Sequence, residues 1–314
     1  MSLRKQDLVL FGGGVLIITI LYALIQMRVI GAFWQLNLLF FGMNIIFASS
    51  LNLINGYTGQ FSLGHAGFSA VGAYTAAILT VKFGAPFLVA LAAGAAAAAL
   101  LGVLIGLPTL RLRGDYLAIA TLGLGEIIRV IIINIDYVGG AAGFSGIPKE
   151  ANFLYIYGFV LLTLFFLKNY IHSAFGRASI AIREDEIAAE AMGVNTTKYK
   201  VMAFAIGAGF AGLGGGLLGH TLTYLNPTSF TFMQSFFYLI MVVLGGMGSL
   251  TGSIIGAFFV TILQAALASW PEYRMIVFSI LLIVFMIYRP RGIAGYVELT
   301  DLPILRRCFK KEVD

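Results

Sequence analysis

Long apolar stretches separated by short polar segments run through most of the chain. Ten of them are long enough, or nearly so, to be helical spans, since a helix crossing ~30 Å of hydrocarbon needs about 20 apolar residues. The predicted spans are 8–26, 34–54, 61–80, 86–107, 115–133, 152–169, 201–222, 232–246, 253–269 and 275–288. The stretch 61–80 is rich in glycine and 232–246 is short, so either can be re-entrant or broken. The pattern predicts an all-α polytopic membrane protein with about ten transmembrane helices.

The positions of lysine and arginine predict how these spans are oriented. With the N-terminus inside and ten alternating spans, fifteen of the 20 basic residues fall in inside segments and four in outside segments. Both termini are therefore expected in the cytoplasm, with residues 1–290 forming a transmembrane domain and 291–314 a basic tail. The first apolar run is expected to be a span, because it is too long for the core of a signal peptide and shows no small-residue cleavage site.

The composition agrees with a membrane protein. Of 314 residues, 60% are apolar and 11% are charged, whereas a soluble domain has about 25% charged residues. So few charges cannot solvate a globule of this size, which argues against a water-soluble enzyme and against disorder. The net charge of +6 follows from the topology and forms no basic face, so nucleic acid is not an expected partner. The basic tail is expected to contact anionic membrane lipid.

Two spans carry small residues at every fourth position. One stripe is Ala90, Gly94, Ala98, Gly102 and Gly106, and the other is Ala203, Gly207, Ala211, Gly215 and Gly219. Helices in lipid associate closely where small residues let their backbones approach. We interpret both stripes as packing surfaces within the bundle.

Two glycine-rich blocks, 55–67 and 245–252, interrupt the apolar pattern. Irregular backbone at membrane depth is tolerated only where it faces protein or a water-filled cavity, and broken segments often mark the pathway of a transporter. A simple turn is the alternative, and the sequence leaves both open. The residues assigned to a translocation path are Asn55, Gln60, Ser62, His65, Gly245, Gly246 and Ser249.

The longest polar stretch is a predicted cytoplasmic loop over 170–200. Its core, GRASIAIREDEIAAEAMGVNTTKYK, predicts one short amphipathic helix ending at Gly193, which fits a helix C-terminal cap. Ile180, Ile187 and Ala191 fall on one side of this helix. The charged residues on the other side are Arg183, Glu184, Asp185, Glu186 and Glu190. Charges of both signs in dense alternation favour a protein partner over lipid.

Three blocks in order resemble a known family. They are GYTGQFSLGHAGFSAVGAY, then REDEIAAEAMG followed by TKYK and GGGLLGH, then MVVLGGMGSLTGSIIGA. They resemble the M-type inner-membrane permease subunit of the branched-chain amino acid importers, which are binding-protein-dependent ABC transporters. The resemblance covers roughly residues 40–290.

The resemblance implies a function and a set of partners. The expected function is to form the translocation path for leucine, isoleucine and valine across the bacterial inner membrane. The implied partners are a second homologous permease, two ATP-binding subunits and a periplasmic solute-binding protein. The residues implied in coupling to the ATPase are Arg183, Glu184, Asp185, Glu186, Ala189, Glu190 and Gly193. The chain lacks the phosphate-binding motif GxxxxGK[ST], so ATP and magnesium are expected on partner subunits and no cofactor on this chain.

Catalytic and metal chemistry find little support in the sequence. There are three histidines, one cysteine and no HExxH motif, so neither catalytic residues nor a metal site are predicted. Glu126 and Arg129 are three positions apart in one span and share a helix face. We interpret them as an internal ion pair that fixes packing; a role in lining the path or in coupling is the alternative.

The sequence leaves other functions open. The same machinery can carry urea, a short amide or another amino acid, which a permease sequence discriminates poorly. An ion-coupled secondary transporter would need no ATPase, although no chain of proton-carrying residues is visible in the spans. A structural membrane scaffold would transport nothing.

Overall fold

The computed structural model describes residues 5–289 except 110, 111 and 113, together with residues 292, 293 and 295. Most of the predicted tail 291–314 therefore lies outside the described residues. The helices are α1 (Lys5–Gln26), α2 (Ala32–Asn52), α3 (His65–Phe83), α4 (Phe87–Thr109), α5 (Asp115–Ile133), α6 (Phe153–His172), α7 (Ala174–Glu184), α8 (Glu186–Ala191), α9 (Thr196–Leu222), α10 (Phe232–Gly245), α11 (Leu250–Ala266) and α12 (Pro271–Tyr288). The two strands, β1 (Phe144–Ser145) and β2 (Tyr224–Leu225), form one antiparallel pair.

Ten of these helices correspond to the ten predicted spans, and α7 and α8 form the polar loop. Six helices in the described part of the chain are long and apolar enough to cross a membrane, and four shorter helices are apolar. The all-α membrane architecture is confirmed. The predicted span 61–80 begins too early, because residues 61–64 are not helical and α3 starts at His65. The 14 residues of α10 extend only about 21 Å at 1.5 Å per residue, less than the hydrocarbon thickness.

The small-residue stripes of α4 and α9 face the centre of a three-helix contact with α3. All ten stripe residues are buried. A Cβ atom added to Gly94 would lie 2.6 Å from the carbonyl oxygen of Gly72, and one added to Gly72 would overlap the backbone of Gly212. The backbones of α3, α4 and α9 therefore touch where larger side chains would hold them apart, as the packing interpretation predicts.

A second packing centre surrounds α2, which lies against α6, α9, α10 and α11. The rings of Phe47 and Tyr238 stack there with centroids 4.5 Å apart. The amide of Asn44 donates a hydrogen bond to the hydroxyl of Thr261 at 2.9 Å. The second half of α2 is thereby enclosed by protein, which allows polar groups at its end.

The polar loop contains two helices, so the prediction of one amphipathic helix is wrong. Helix α7 ends at Glu184, Asp185 is extended (φ −157°, ψ 109°), and α8 begins at Glu186. The carboxylate of Asp185 accepts hydrogen bonds from the N–H groups of Ile187 and Ala188, at 2.9 and 3.0 Å. This N-terminal capping starts a new helix in place of continuing α7.

The predicted cap at Gly193 is confirmed. Gly193 has φ +83°, and its N–H donates to the carbonyl of Glu190 at 2.9 Å. The N–H of Val194 donates to the carbonyl of Ala189 at 3.0 Å. These two bonds form a Schellman motif, in which glycine supplies the left-handed residue.

Candidate functional site

The end of α2 is a break in the helix on the predicted cytoplasmic side. Residues Leu53–Tyr57 form a π-helical turn, and the chain from 58 to 64 is irregular before α3 begins. The hydroxyl of Thr58 donates to the carbonyl of Leu53 at 2.8 Å, and the N–H of Gln60 donates to the carbonyl of Ile54 at 3.0 Å. Side-chain and long-turn bonds thus replace the regular helical ladder.

Polar side chains satisfy the backbone groups that this break leaves free. The N–H of Ser62 donates to the amide oxygen of Asn55 at 3.2 Å, which closes the irregular loop. The N–H of Leu63 donates to the hydroxyl of Thr121 on α5 at 3.0 Å, and the N–H of Ala66 donates to that of Ser235 on α10 at 2.9 Å. Buried backbone donors must find such partners where water is excluded.

The side chain of Asn52 joins this break to the second glycine-rich block. Its amide nitrogen donates to the carbonyl of Ser249 at 2.7 Å and to the hydroxyl of Ser253 at 2.8 Å. Its amide oxygen accepts from the N–H of Gly248 at 2.8 Å. Asn52 is fully buried, so the two blocks form one hydrogen-bonded unit.

Glycine at position 56 is required for this contact. A Cβ atom there would overlap the amide oxygen of Asn52 and the backbone nitrogen of Gly248. On the other side of the contact, the hydroxyl of Ser249 accepts from the N–H of Gly252 at 3.0 Å and caps α11. The two blocks approach at backbone distance because neither carries a bulky side chain at the contact.

His65 lies at the start of α3, fully buried beside the broken segment. One ring nitrogen, Nε2, lies 2.9 Å from the hydroxyl of Ser50 on α2. The ring also meets the edge of Tyr238 on α10, with centroids 6.0 Å apart. His65 therefore connects the three helices that surround the break.

The polar loop contacts this unit directly. The guanidinium of Arg183 donates from Nη1 to the carbonyl of Gly56 at 2.9 Å. The ammonium of Lys200 lies 2.6 Å from the carboxylate of Glu186, and the carbonyl of Lys200 accepts from the amide of Gln60 at 3.2 Å. The base of the loop is thus hydrogen-bonded to both ends of the segment 56–60.

Most of the charged residues assigned to a partner contact make bonds within the loop or to the bundle. Asp185 caps α8, Glu186 pairs with Lys200, and Glu190 accepts a hydrogen bond from the hydroxyl of Thr196 at 3.4 Å. Ala189 is buried. The carboxylate of Glu184 pairs with the guanidinium of Arg183, and 67% of the Glu184 side chain is exposed.

Two large apolar side chains point outward from the loop instead. Ile187 is 70% exposed and Met192 is 84% exposed. The prediction that Ile180 and Ile187 lie on one side of a single helix is wrong, because they belong to α7 and α8. Ile180 packs against the bundle, whereas Ile187 is exposed. The exposed apolar pair was missed because the turn at Asp185 rotates α8 relative to α7.

The intramembrane pair on α5 is an ion pair. The Nε of Arg129 lies 2.7 Å from one carboxylate oxygen of Glu126. The other oxygen accepts from the N–H of Phe232 at 2.9 Å, which is the first residue of α10. A carboxylate is favourable at a helix N-terminus, so the pair fixes where α10 starts against α5. This geometry supports the packing interpretation.

Comparison with known proteins identifies the family. Residues 34–286 match the family model described as branched-chain amino acid transport system / permease component. The chain belongs to this permease family. It is 37% identical over 284 residues to the high-affinity branched-chain amino acid transport system permease protein LivM of Salmonella typhimurium (strain LT2), covering 79% of this chain and 67% of that protein. The Escherichia coli K12 protein of the same name has the same identity and coverage. No solved structure matches the chain.

A second type of permease is also similar over a shorter region. The high-affinity branched-chain amino acid transport system permease protein LivH of Escherichia coli K12 is 36% identical over 129 residues, which is 40% of this chain and 42% of that protein. The permease is thus a multi-pass membrane protein and a non-catalytic transmembrane component of an ABC transport system. The family resemblance drawn from the three sequence blocks is confirmed.

The structure brings the predicted path residues of the permease together at one place. Asn55, Gln60, Ser62 and His65 surround the break after α2, and Gly245, Gly246 and Ser249 lie at the α10–α11 turn. All seven are buried inside this chain. Sequence reasoning missed Asn52, whose only signal is an amide side chain in an apolar span just before the first block.

Proposed function

We propose that this permease is the M-type subunit of an importer for leucine, isoleucine and valine in the bacterial inner membrane. The observation that carries the proposal is the family match over residues 34–286, supported by 37% identity to LivM. A second, homologous permease is the proposed partner within the membrane. Its support is the shorter similarity to LivH, which shows that two permease types share this sequence pattern.

The proposed ATPase-docking surface is the outward face of α8. Ile187 and Met192 are exposed on a polar loop that the predicted topology places on the cytoplasmic side. Exposed apolar side chains rimmed by polar residues are typical of protein–protein interfaces. Other residues of the loop support this surface: Asp185 and Gly193 fix the two ends of α8, while Glu186 and Glu190 hold it against α9.

The unit formed by the two glycine-rich blocks is proposed as the closed cytoplasmic gate of the path. Its polar residues are buried and hydrogen-bonded within one chain, so they face the solute only after the unit rearranges. Broken helices with polar groups near the membrane centre are a recurrent design in transporters. Solute affinity would reside mainly in the periplasmic binding protein, and the path itself need offer only weak polar contacts.

The proposed mechanism places ATP chemistry on the partners. Two ATP-binding subunits hold ATP and magnesium, and their closure pushes on α8. The loaded binding protein docks on the outer side and delivers its solute to a path shared by the two permeases. This chain forms part of the solute path, and its α8 helix is moved by the ATP-binding subunits.

The docking proposal is tested by purifying the tagged chain in mild detergent and identifying the proteins that accompany it. We expect Met192→Asp and Ile187→Asp to lose the ATP-binding subunit, because each places a charge in an apolar contact. The matched control is Met27→Asp, since Met27 is 74% exposed on the predicted outer side. Retention of the ATPase by both loop variants would rule out this docking surface.

The substrate proposal is tested by uptake of radiolabelled leucine in cells whose own branched-chain importers are deleted. We expect uptake to require ATP and the binding protein, and unlabelled isoleucine and valine to compete. Competition by urea, a short amide or an unrelated amino acid, without competition by valine, would reassign the solute. Robust transport by this chain alone in liposomes under an ion gradient would favour a secondary transporter.

A further inference from the structure

We propose that Arg183 is a positioning residue that passes the movement of the α7–α8 loop to the broken end of α2. This inference rests on the proposed function, since it assumes that the ATPase pushes on the loop. It assigns Arg183 a contact within the permease, whereas the sequence predicts a contact with the ATPase.

The Arg183 side chain contacts the broken end of α2 through its stem and through Nη1, while its Nε and Nη2 donate to the carboxylate of the neighbouring Glu184. The guanidinium donates to the carbonyl of Gly56, which belongs to the π-helical turn. The aliphatic stem lies against Gly59, where an added Cβ atom would come within 2.9 Å of Arg183 Cγ. Gly59 has φ +70°, so the loop turns there and leaves room for the arginine stem. Only 23% of the side chain is exposed.

A second connection reaches the same segment through α9. The carboxylate of Glu186 pairs with the ammonium of Lys200, whose carbonyl accepts a hydrogen bond from Gln60. The segment 56–60 is therefore bonded to α7 by Arg183 and to α8 by way of Lys200. A displacement of the loop cannot leave this segment in place without breaking one of these contacts.

The segment continues the movement into the second glycine-rich block. Asn52 lies one helical turn before Gly56 and is bonded to Ser249 and Ser253. The π-helical turn is the deformable element, because such turns carry one extra residue per turn and occur frequently at functional sites. Coupling between distant sites needs a physical element with more than one arrangement, and the proposal gives this role to the π-helical turn.

The experiment measures solute transported per ATP hydrolysed by the complete importer in proteoliposomes. For Arg183→Ala we expect the ATP-binding subunits to remain bound and hydrolysis to continue, while transport per ATP falls by about tenfold or more, the factor that corresponds to a lost charge-assisted hydrogen bond. Arg183→Lys should restore part of the ratio, since its ammonium can still donate to the Gly56 carbonyl. Gln60→Leu removes the second connection and should lower the ratio in the same way.

Arg177→Ala is the matched control. Arg177 lies on the same helix, but its guanidinium donates locally to the carbonyl of His172 at 2.9 Å, so transport per ATP should not change. Loss of the ATP-binding subunits from Arg183→Ala would make Arg183 a docking contact and overturn the inference. An unchanged ratio in both Arg183→Ala and Gln60→Leu would also overturn it. Failure of the unmodified chain to bind any ATPase would instead contradict the proposed function.

Discussion

The amide of Asn52 donates a hydrogen bond of 2.7 Å to the carbonyl of Ser249, 197 positions away in the chain. This bond joins the end of α2 to the α10–α11 turn at a depth where the surrounding helices exclude water. Because the amide of Asn52 also bonds to Ser253 and Gly248, one side chain holds two irregular backbone segments together. Asn52 lies outside the motif blocks, yet it makes these contacts between them.

Replacing Asn52 with leucine should destabilise the protein while keeping the side-chain volume. The N–H of Gly248 loses its amide partner, and an unsatisfied buried group costs about 1–3 kcal/mol. We expect a lower midpoint of thermal unfolding for the purified protein in detergent. Asn37→Leu is the control, because the amide of Asn37 donates to the carbonyl of Phe33 in its own helix. Equal unfolding midpoints for the two variants would show that the Asn52 contacts do not contribute to the stability of the folded protein.

Gly72→Ala should disturb the contact between α3 and α9. The added methyl group would overlap the backbone of Gly212, and backbone cannot rotate away as a side chain can. Overpacking of this kind costs typically about 1–3 kcal/mol. Gly158→Ala on α6 is the control, since no atom lies within 4 Å of the added Cβ. The readout is the fraction of protein that elutes as a single species in detergent, which should fall only for Gly72→Ala.

Glu126→Ala should destabilise the folded protein more than removal of both charges of the ion pair does. It leaves Arg129 without its carboxylate in the membrane and removes the acceptor of the Phe232 N–H. An uncompensated charge costs more than a pair that is absent. We therefore expect the double variant Glu126→Gln with Arg129→Leu to unfold at a higher temperature than Glu126→Ala. The opposite order would mean that the charge of Arg129 is satisfied elsewhere.

Gly193→Ala should loosen the end of α8 through backbone conformation alone. Its φ is +83°, and a Cβ atom there would meet no other atom within 4 Å, so no steric clash is added. A left-handed residue other than glycine costs about 1–2 kcal/mol. Asparagine tolerates this conformation better, so Gly193→Asn should have a smaller effect. Hydrogen exchange of the α8 amides measures the difference, and equal protection in both variants would contradict it.

Much of the architecture could be predicted from local pattern. The run 115–133 coincides with α5, and the stripes of α4 and α9 lie at the helix contacts, because apolar length and small-residue spacing are properties of one segment. The break before His65 was harder to predict from the sequence. Residues 61–64 are apolar enough to extend a span, but the N–H of Leu63 bonds to Thr121 and that of Ala66 bonds to Ser235. Only the fold brings Thr121 and Ser235 near.

The polar loop shows the same limit in its side chains. Its charge pattern predicts a charged face for a partner, and Glu184, Asp185 and Glu190 are exposed. Glu186 instead pairs with Lys200, and Arg183 donates a hydrogen bond to the carbonyl of Gly56. A helical projection cannot contain the turn at Asp185, because that turn comes from a capping bond that competes with helix continuation. The exposed surface of the loop also carries two apolar side chains, Ile187 and Met192, which the helical projection did not place there.

The sequence by itself determined the membrane class, the ten apolar segments and the family, since hydropathy and motif blocks are read from neighbouring residues. Only the tertiary structure decided that Asn52 joins the two glycine-rich blocks and that Arg183 points into the bundle. Hydrogen-bond partners more than 100 positions apart depend on how helices pack, and in lipid that packing is set by where backbones can touch.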